Sequence, residues 1–310
     1  MNPLPEALNA LDQVILGKQA ELRLCLACLL ARGHLLIEDV PGVGKTTLAH
    51  ALAQVLGLAW QRVQFTSDLL PADVLGVSVF DRTTQRFEFR PGPVFTQLLV
   101  ADEVNRASPR TQSALLEAME ERQVSIDGTT HPLPDPFFVV ATQNPHEQLG
   151  TFALPESQLD RFLMRVGLGY PGASQERTLL LEPDRRIRLA QVRPVLSASD
   201  VISLQDSLPG IHVAPALLDY VQALIAHTRA NPQLQLGLSP RAGQGLVRAA
   251  RAWTLVQGRR AVLPEDVQAV LPAVASHRLV LRQGLPGLTP GLAAGRDLVR
   301  ELLAAVPVPD

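Results

Sequence analysis

Apolar runs alternate with helical patterns along the first half of the chain. The runs predict four strands, over Leu35–Glu38, Trp60–Phe65, Gln97–Ala101 and Phe137–Thr142. Between them, Thr46–Leu56 and Ser108–Glu121 carry apolar residues at helical spacing. Residues 1–34 also have a helical pattern, with a turn at Gly17-Lys18. Because strands that alternate with helices form parallel sheets covered on both faces, this order predicts an α/β core.

Two segments predict β-hairpins inserted into the core. The first pairs Val77–Asp81 with Arg86–Arg90, and the second pairs Gln123–Ile126 with Thr129–Leu133. The second turn is Asp127-Gly128, a dipeptide typical of two-residue hairpin loops. The hairpins could simply decorate the sheet edge, or they could contact a partner.

The second half of the chain is mostly helical in pattern. Helices are predicted near Ser174–Leu181, Ser199–Ser207, Pro215–Arg229, Pro240–Val256 and Pro264–His277. Tyr170-Pro171-Gly172 is a turn signal ahead of them. We therefore expect two domains, an α/β core over residues 1–170 and an all-α domain over residues 171–310.

Composition narrows the classes of protein. The chain has 310 residues, 46% of them hydrophobic, and a formal net charge of −2, so no overall charge favours nucleic acid. No apolar run approaches the roughly 18 residues of a membrane span, and no secretory leader is visible, so we expect a cytoplasmic protein without membrane insertion. Cys25 and Cys28 lie in an apolar helical stretch and are interpreted as core residues.

A glycine-rich loop carries the clearest chemistry. It follows an apolar strand, opens a helix and reads Asp39-Val40-Pro41-Gly42-Val43-Gly44-Lys45-Thr46-Thr47. In such loops backbone amides surround phosphates, the lysine reaches the β- and γ-phosphates, and the following hydroxyl binds Mg²⁺. Lys45 and Thr46 would take these roles, although Asp39 stands where the pattern has glycine. Lys18 is the only other lysine. These residues predict an ATP site with Mg²⁺.

Two acids follow the third predicted strand. Asp102 would hold Mg²⁺ through water, and Glu103 would polarise an attacking water. A kinase would transfer the phosphoryl group to a bound hydroxyl instead, and the guanine-reading Asn-Lys-x-Asp of GTPases is absent. The pair therefore indicates ATP hydrolysis.

Three further residues are candidates for the same reaction. Asn144 ends the fourth predicted strand and could orient water or bind the γ-phosphate. Arg161 lies in Leu159–Phe162. Arg241 lies in the first turn of a predicted helix, where a positive charge is unfavourable for the helix dipole unless an anion compensates for it. Taken singly, Asn144 could be a turn former and both arginines could be surface residues.

Together these features resemble those of the AAA+ ATPases, and the sequence between them resembles that of the MoxR family within this group. The resemblance extends along nearly the whole chain, and these segments carry it: Phe65–Gly76, Asp102–Gln112, Leu115–Val124, Ala141–Pro145, Leu154–Phe162 and Ser239–Ala242. The resemblance implies a P-loop core with two inserted hairpins and an all-α lid.

The resemblance also implies roles. Asp39–Thr46 match the Walker A loop, and Asp102 and Glu103 match the Walker B pair. Asn144 matches sensor 1, Arg161 the arginine finger presented to a neighbour, and Arg241 sensor 2. By the same resemblance the protein forms a ring, expected to be hexameric, and remodels a protein client with a von Willebrand factor A domain partner. ATP is expected between the two domains and the next protomer, and Gln64 is a candidate switch that holds Glu103 away from water.

Other functions stay open at this stage. The same ATPase could serve a metal chelatase, or it could move nucleic acid, or it could be a scaffold that binds ATP without hydrolysis. A hairpin that tracks DNA needs basic residues at its tip, whereas Asp127-Gly128 is acidic to neutral; Arg82 and Arg86 on the first hairpin keep that alternative open. Glu103 argues against the scaffold.

Overall fold

A five-stranded parallel sheet forms the centre of the N-terminal half. The computed structural model describes residues 3–144, 150–181, 188–189, 191–282 and 292–309. The strands of this sheet, in spatial order, are β2 (Trp60–Gln64), β5 (Leu98–Asp102), β8 (Phe138–Gln143), β1 (Leu35–Glu38) and β9 (Met164–Val166). All neighbouring pairs are parallel. Four strands were predicted, and β9 is an addition at the edge beside β1.

Alternate residues of the central strands supply two separate hydrophobic cores. In β1, Leu35 and Ile37 face one core while Leu36 faces the other, and β5 and β8 alternate in the same way. The first core also contains the helices α1 (Leu4–Val14), α2 (Gln19–Leu30) and α3 (Lys45–Val55). The second contains α5 (Pro109–Glu121). The sheet is thus covered on both faces, as predicted.

Both predicted hairpins are present. β3 (Gly76–Asp81) pairs antiparallel with β4 (Arg86–Pro91), and β6 (Gln123–Ile126) pairs with β7 (Thr129–Pro132). A short helix, α4 (Pro71–Leu75), leads into the first hairpin, and a 3₁₀ turn (Val104–Arg106) follows β5. α6 (Glu156–Leu159) precedes β9.

The C-terminal part is mainly helical. Its helices are α7 (Ala173–Leu181), α8 (Ala198–Ser207), α9 (Pro215–Ala230), α10 (Pro240–Val256), α11 (Pro264–Ala275) and α12 (Leu292–Ala305), with a 3₁₀ turn at Leu208–Gly210. One correction to the all-α expectation is a small antiparallel sheet of β10 (Leu234–Leu236) and β11 (Val280–Leu281). No helix in the described ranges is both long and apolar enough to cross a bilayer.

The helical part packs on the first core. α10 contacts α2, and its buried residues Leu246, Ala249 and Trp253 belong to the same hydrophobic cluster as Leu26 and Leu29. Cys25 and Cys28 are buried in this cluster as free thiols, and burial raises the pKa of Cys25 to about 12. They pack as predicted from their apolar stretch.

Candidate nucleotide site

The glycine loop links the carboxyl end of β1 to the start of α3. Gly42 and Gly44 both have positive φ angles, of 83° and 96°, which an L-residue with a side chain rarely adopts. Gly44 is the N-cap of α3, and the first turn of the helix has no acidic residue. The amides at the start of this helix and the helix dipole therefore favour a bound anion such as phosphate.

Asp39 is held by its own side chain. One carboxylate oxygen accepts the Val40 amide at 2.8 Å, and the other accepts the amide of Gly169. The departure from the glycine pattern therefore gives the loop a hydrogen bond to the segment after β9. Lys45 Nζ donates to the backbone oxygens of Asp39, at 2.6 Å, and of Gln143, at 3.0 Å.

Asp102 and Thr46 meet beside the loop. Thr46 Oγ1 donates to Asp102 Oδ2 at 3.0 Å, and Thr142 Oγ1 donates to Asp102 Oδ1 at 2.5 Å. Arg62 on β2 adds an ion pair at 2.7 Å. Burial opposes ionisation of Asp102, but hydrogen bonds from Thr142, Arg62 and Thr46 outweigh it and lower the pKa of the carboxyl group. The carboxylate is therefore ionised at neutral pH.

This pair suits a magnesium ion whose other ligands are mostly water molecules and phosphate oxygens. Mg²⁺ is usually held by one or two protein oxygens together with substrate phosphates. In the described part of the chain no group of three or more His, Cys, Asp or Glu could hold a metal by itself. Thr46 and Asp102 therefore fit a nucleotide-bound magnesium ion rather than a metal cage built from protein alone.

Glu103 has a strained backbone at the end of β5. Its φ of 56° lies in the left-handed region, unusual for a residue with a side chain, and its amide donates to Thr142 Oγ1 at 3.0 Å. Gln64 Nε2 donates to Glu103 Oε2 at 2.7 Å, and Arg106 Nε lies 2.9 Å from the same oxygen. The carboxylate is therefore held by two side chains beside the loop.

Asn144 follows β8 at the same sheet edge. It is buried, with 4% of its surface exposed, and its backbone oxygen accepts a long hydrogen bond from Asn105. β8 is the neighbour of both β1 and β5 in the sheet. Asn144 thus ends its strand between the glycine loop and Glu103. Pro145, the last residue of the predicted segment, lies outside the described residues.

A cleft of about 390 Å³ opens on the glycine loop. Besides Gly42, Val43, Gly44 and Thr47, the residues that line it come from the connection between α1 and α2 and from the chain after β9: Ile15, Leu16, Lys18, Gly169, Pro171, Leu179 and Leu189. Lys18 Nζ donates to the Tyr170 backbone oxygen at 2.9 Å. Sequence reasoning missed these residues, although Lys18 was visible as the second lysine of a chain that otherwise uses arginine.

Arg161 and Arg241 lie near the amino ends of the strands, whereas the glycine loop lies at their carboxyl ends. Arg161 Nε is 3.1 Å from Glu120 Oε2, and Arg241 Nη1 is 2.6 Å from Glu120 Oε1. Glu120 lies near the end of α5. His34, just ahead of β1, donates a hydrogen bond to the backbone of this helix end, which therefore lies at the amino ends of the strands. The structure therefore brings the two predicted arginines together but leaves them far from the glycine loop of the same chain.

The two hairpins contact each other through aromatic rings. Phe89 of the first hairpin stacks on His131 of the second, with centroids 4.0 Å apart. Within the first hairpin, Phe80 meets Phe87 edge to face. Phe80 and Phe87 are 50% and 73% exposed. A groove of about 650 Å³ runs between the hairpins, lined by Ser78, Phe87, Phe89, Ile126, Asp127, Thr129 and His131. The hairpins thus expose apolar rings, and the first hairpin also exposes Arg82, Arg86 and Arg90.

Comparisons with known proteins agree with this geometry. Residues 34–164 match the ATPase family associated with various cellular activities (AAA), and residues 226–300 match the AAA lid domain. The chain is 44% identical to the uncharacterised protein YeaC of Bacillus subtilis, over 99% of this chain and 95% of that protein. It is 41% identical to the chaperone MoxR1 of Mycobacterium tuberculosis, over 91% and 76%. A crystal structure of a protein from Cytophaga hutchinsonii assigned as an ATPase superposes with a TM-score of 0.88, at 34% identity over 100% and 96%.

Proposed function

This chain belongs to the MoxR group of the AAA ATPases, and we propose that it works as a ring of identical protomers that hydrolyses ATP to remodel a protein client. The expected ring is hexameric. The catalytic residues of each ATP site come from two protomers, and the separation of the arginines from the glycine loop is the observation that carries this proposal.

One protomer supplies the binding half of each site. The loop amides and Lys45 bind the phosphates, and the cleft beside Ile15 and Pro171 accepts the rest of the nucleotide. When bound through Thr46 and Asp102, Mg²⁺ neutralises phosphate charge. Glu103 polarises the attacking water, and Asn144 positions that water or the γ-phosphate.

The next protomer supplies the arginines. From His34 to Asp39 the chain advances about 16 Å along β1, at about 3.3 Å per residue. Arg161 and Arg241 lie near the first of these residues and the phosphates near the second, so a bound ATP is out of their reach within one chain. A neighbour that presents its amino edge to the glycine loop brings both arginines to the γ-phosphate. Arginines supplied in this way contribute about 10³–10⁵ in rate.

A mixing experiment tests this arrangement. Arg161→Ala lacks the arginine at every interface, and Glu103→Gln lacks the base in every site, so each pure protein should be nearly inactive in a phosphate-release assay. In mixed rings, a Glu103→Gln protomer donates its intact Arg161 to the complete site of an Arg161→Ala neighbour. Activity should therefore return in the mixture. The same recovery is expected with Arg241→Ala.

Arg300→Ala is the matched control. Arg300 is an exposed arginine of α12 whose ion pair, with Asp297, lies within its own helix. This variant should be active alone. Recovered activity in the mixture is the decisive outcome, and native mass spectrometry checks that the subunits have exchanged. An active pure Arg161→Ala protein would refute the arrangement in trans, whereas inactive mixed rings would also result from strict coordination around the ring.

The hairpins are the elements proposed to contact the client. Phe80 and Phe87 expose apolar rings, and the second tip carries Asp127, which favours a protein client over nucleic acid. The name chaperone for the relative MoxR1 supports the same choice. A cytoplasmic location and a partner with a von Willebrand factor A domain are part of this proposal. A metal-chelatase complex is the alternative, since it would use the same ATP site.

We place the boundary between the two domains at residue 170. β9 ends at Val166, the first helix beyond it begins at Ala173, and Gly169 has a positive φ of 63°. The two family matches, which end at residue 164 and begin at residue 226, lie on either side. Limited proteolysis that releases a stable fragment ending near this position would support the boundary.

A further inference from the structure

Glu120 is the anion to which both arginines are bonded within the protomer. Each of its carboxylate oxygens binds a different arginine, at 3.1 Å for Arg161 and 2.6 Å for Arg241. The hydrogen bond and charge of Arg241, with that of Arg161, lower the pKa of Glu120, so the carboxylate is ionised at neutral pH. Two arginines on two oxygens of one anion is also the arrangement that a γ-phosphate would accept.

The three side chains come from different parts of the molecule. Arg161 precedes β9 and Glu120 lies near the end of α5, so both belong to the sheet half of the chain, while Arg241 lies in the first turn of α10 in the helical half. Glu120 therefore joins the two halves through one carboxylate. A cavity of about 170 Å³ lies beside it, lined by further arginines that include Arg248 and Arg278. A cavity needs about 10–15 Å³ of such volume to hold one water molecule, so this one has room for several waters or for phosphate oxygens.

The ion pairs are weak enough to exchange. The side chains of Arg161, Arg241 and Glu120 are 29%, 52% and 32% exposed. Ion pairs that water reaches to this extent contribute little to stability. A phosphate with two negative charges can therefore displace Glu120, whereas ADP, which ends at its β-phosphate, leaves the pairs in place.

Building on the proposed function, we propose that Glu120 is a positioning residue that holds Arg161 and Arg241 in each protomer until the γ-phosphate of a neighbour's ATP displaces it. Glu120 then competes with ATP but not with ADP. Removing its charge should strengthen ATP binding by the ring and leave ADP binding unchanged.

The test measures the two affinities separately. In a Glu103→Gln background, which keeps ATP intact, fluorescent ATP and ADP analogues are titrated into assembled rings with and without Glu120→Gln. The additional change should tighten ATP binding about two- to tenfold, the range expected when two exposed ion pairs no longer need to be broken. ADP affinity should stay the same.

Two variants serve as controls. Glu120→Asp keeps the charge and should keep an ATP-to-ADP preference close to that of the parent protein. Glu117→Gln removes an exposed acid one turn earlier on α5, with no ion pair among the described residues, and should change neither affinity.

Each other result has a definite meaning. Unchanged or weaker ATP binding by Glu120→Gln, in a protein with the parent's unfolding midpoint, would overturn the role of Glu120. A lower midpoint together with weaker binding of both nucleotides would overturn it as well, because it would show a purely structural carboxylate. If Arg161→Ala and Arg241→Ala leave ATP binding and hydrolysis unchanged, the arrangement in trans fails instead.

Discussion

We expect Gln64 to restrain the carboxylate of Glu103, the proposed catalytic residue. Its side-chain amide donates to Glu103 Oε2 at 2.7 Å, and its own oxygen accepts from Arg62 at 3.1 Å. Arg62 in turn binds Asp102, so Gln64 lies between the two acids of the site. To polarise water, Glu103 has to leave this hydrogen bond. We therefore expect Gln64→Ala to raise the basal ATPase rate in the absence of client.

The size of the increase follows from the geometry. A hydrogen bond to a charged group contributes about 1.5–3 kcal/mol. The Glu103 side chain is 34% exposed, so water replaces part of this value and we take about 1 kcal/mol. Arg106, which binds the same oxygen at 2.9 Å, remains as a second restraint. One kcal/mol corresponds to about a fivefold increase in the turnover number, with KM for ATP unchanged.

Steady-state phosphate release at saturating ATP measures this effect. Gln61→Ala is the control, since Gln61 is an exposed glutamine of the same strand with no side-chain hydrogen bond to another described residue. A turnover number that is unchanged or lower in Gln64→Ala, while Gln61→Ala behaves like the parent, would show that Gln64 supports Glu103 instead of restraining it.

Three further outcomes are expected. Lys45→Ala should lose nucleotide binding, because it removes a phosphate contact, whereas Glu103→Gln should bind ATP and fail to hydrolyse it. Nucleotide titration measures the first effect and phosphate release the second, and a Glu103→Gln protein that hydrolyses ATP at the parent rate would contradict the role of Glu103. Replacing Asp127-Gly128 by a short Gly-Ser turn should keep basal ATPase within about threefold, under about 0.7 kcal/mol of barrier, but abolish client remodelling; an unchanged client assay would leave this hairpin without a role. Burial lowers the pKa of His34 to about 4, so below pH 6.5, its ordinary pKa, the unfolded chain binds a proton at this residue while the folded chain does not. Between pH 7 and pH 5 this should lower the free energy of unfolding by about 2 kcal/mol. His34→Gln should lose less over the same interval, as measured by urea unfolding.

The sequence was sufficient for most of the core, because its strands have strong and regular patterns. β1, β5 and β8 carry the unbroken apolar runs Leu35–Ile37, Leu98–Ala101 and Phe138–Ala141 ahead of their polar ends, and Asp-Gly marks the second hairpin turn. β9 was missed because Met164–Val166 is only three residues long and contains Arg165. That arginine is buried because it lies 3.4 Å from the buried Glu38, a pairing that only the tertiary structure supplies.

Sequence patterns alone could place together those candidate residues that follow a strand end. The glycine loop, Asp102, Glu103 and Asn144 all follow strands of one parallel sheet, so topology brings them to one edge. Arg62 and Glu120 gave no such signal, since each acts through a residue some forty or more positions away. The pairing of Arg241 with Arg161 likewise depends on how α10 packs, which no local pattern encodes.

The division of the site between sheet edges suggests how hydrolysis could produce movement. With ATP present, Arg161 from the sheet half and Arg241 from the helical half would bind one γ-phosphate on the neighbouring protomer. When that phosphate leaves, both arginines regain Glu120, which belongs to their own chain. In each cycle Arg241 of the helical half would thus bind first the γ-phosphate on the neighbour and then Glu120 of its own sheet half, so the helical half would move between these two positions. The second hairpin begins at Gln123, directly after α5, so the helix that carries Glu120 is joined to the proposed client-binding surface.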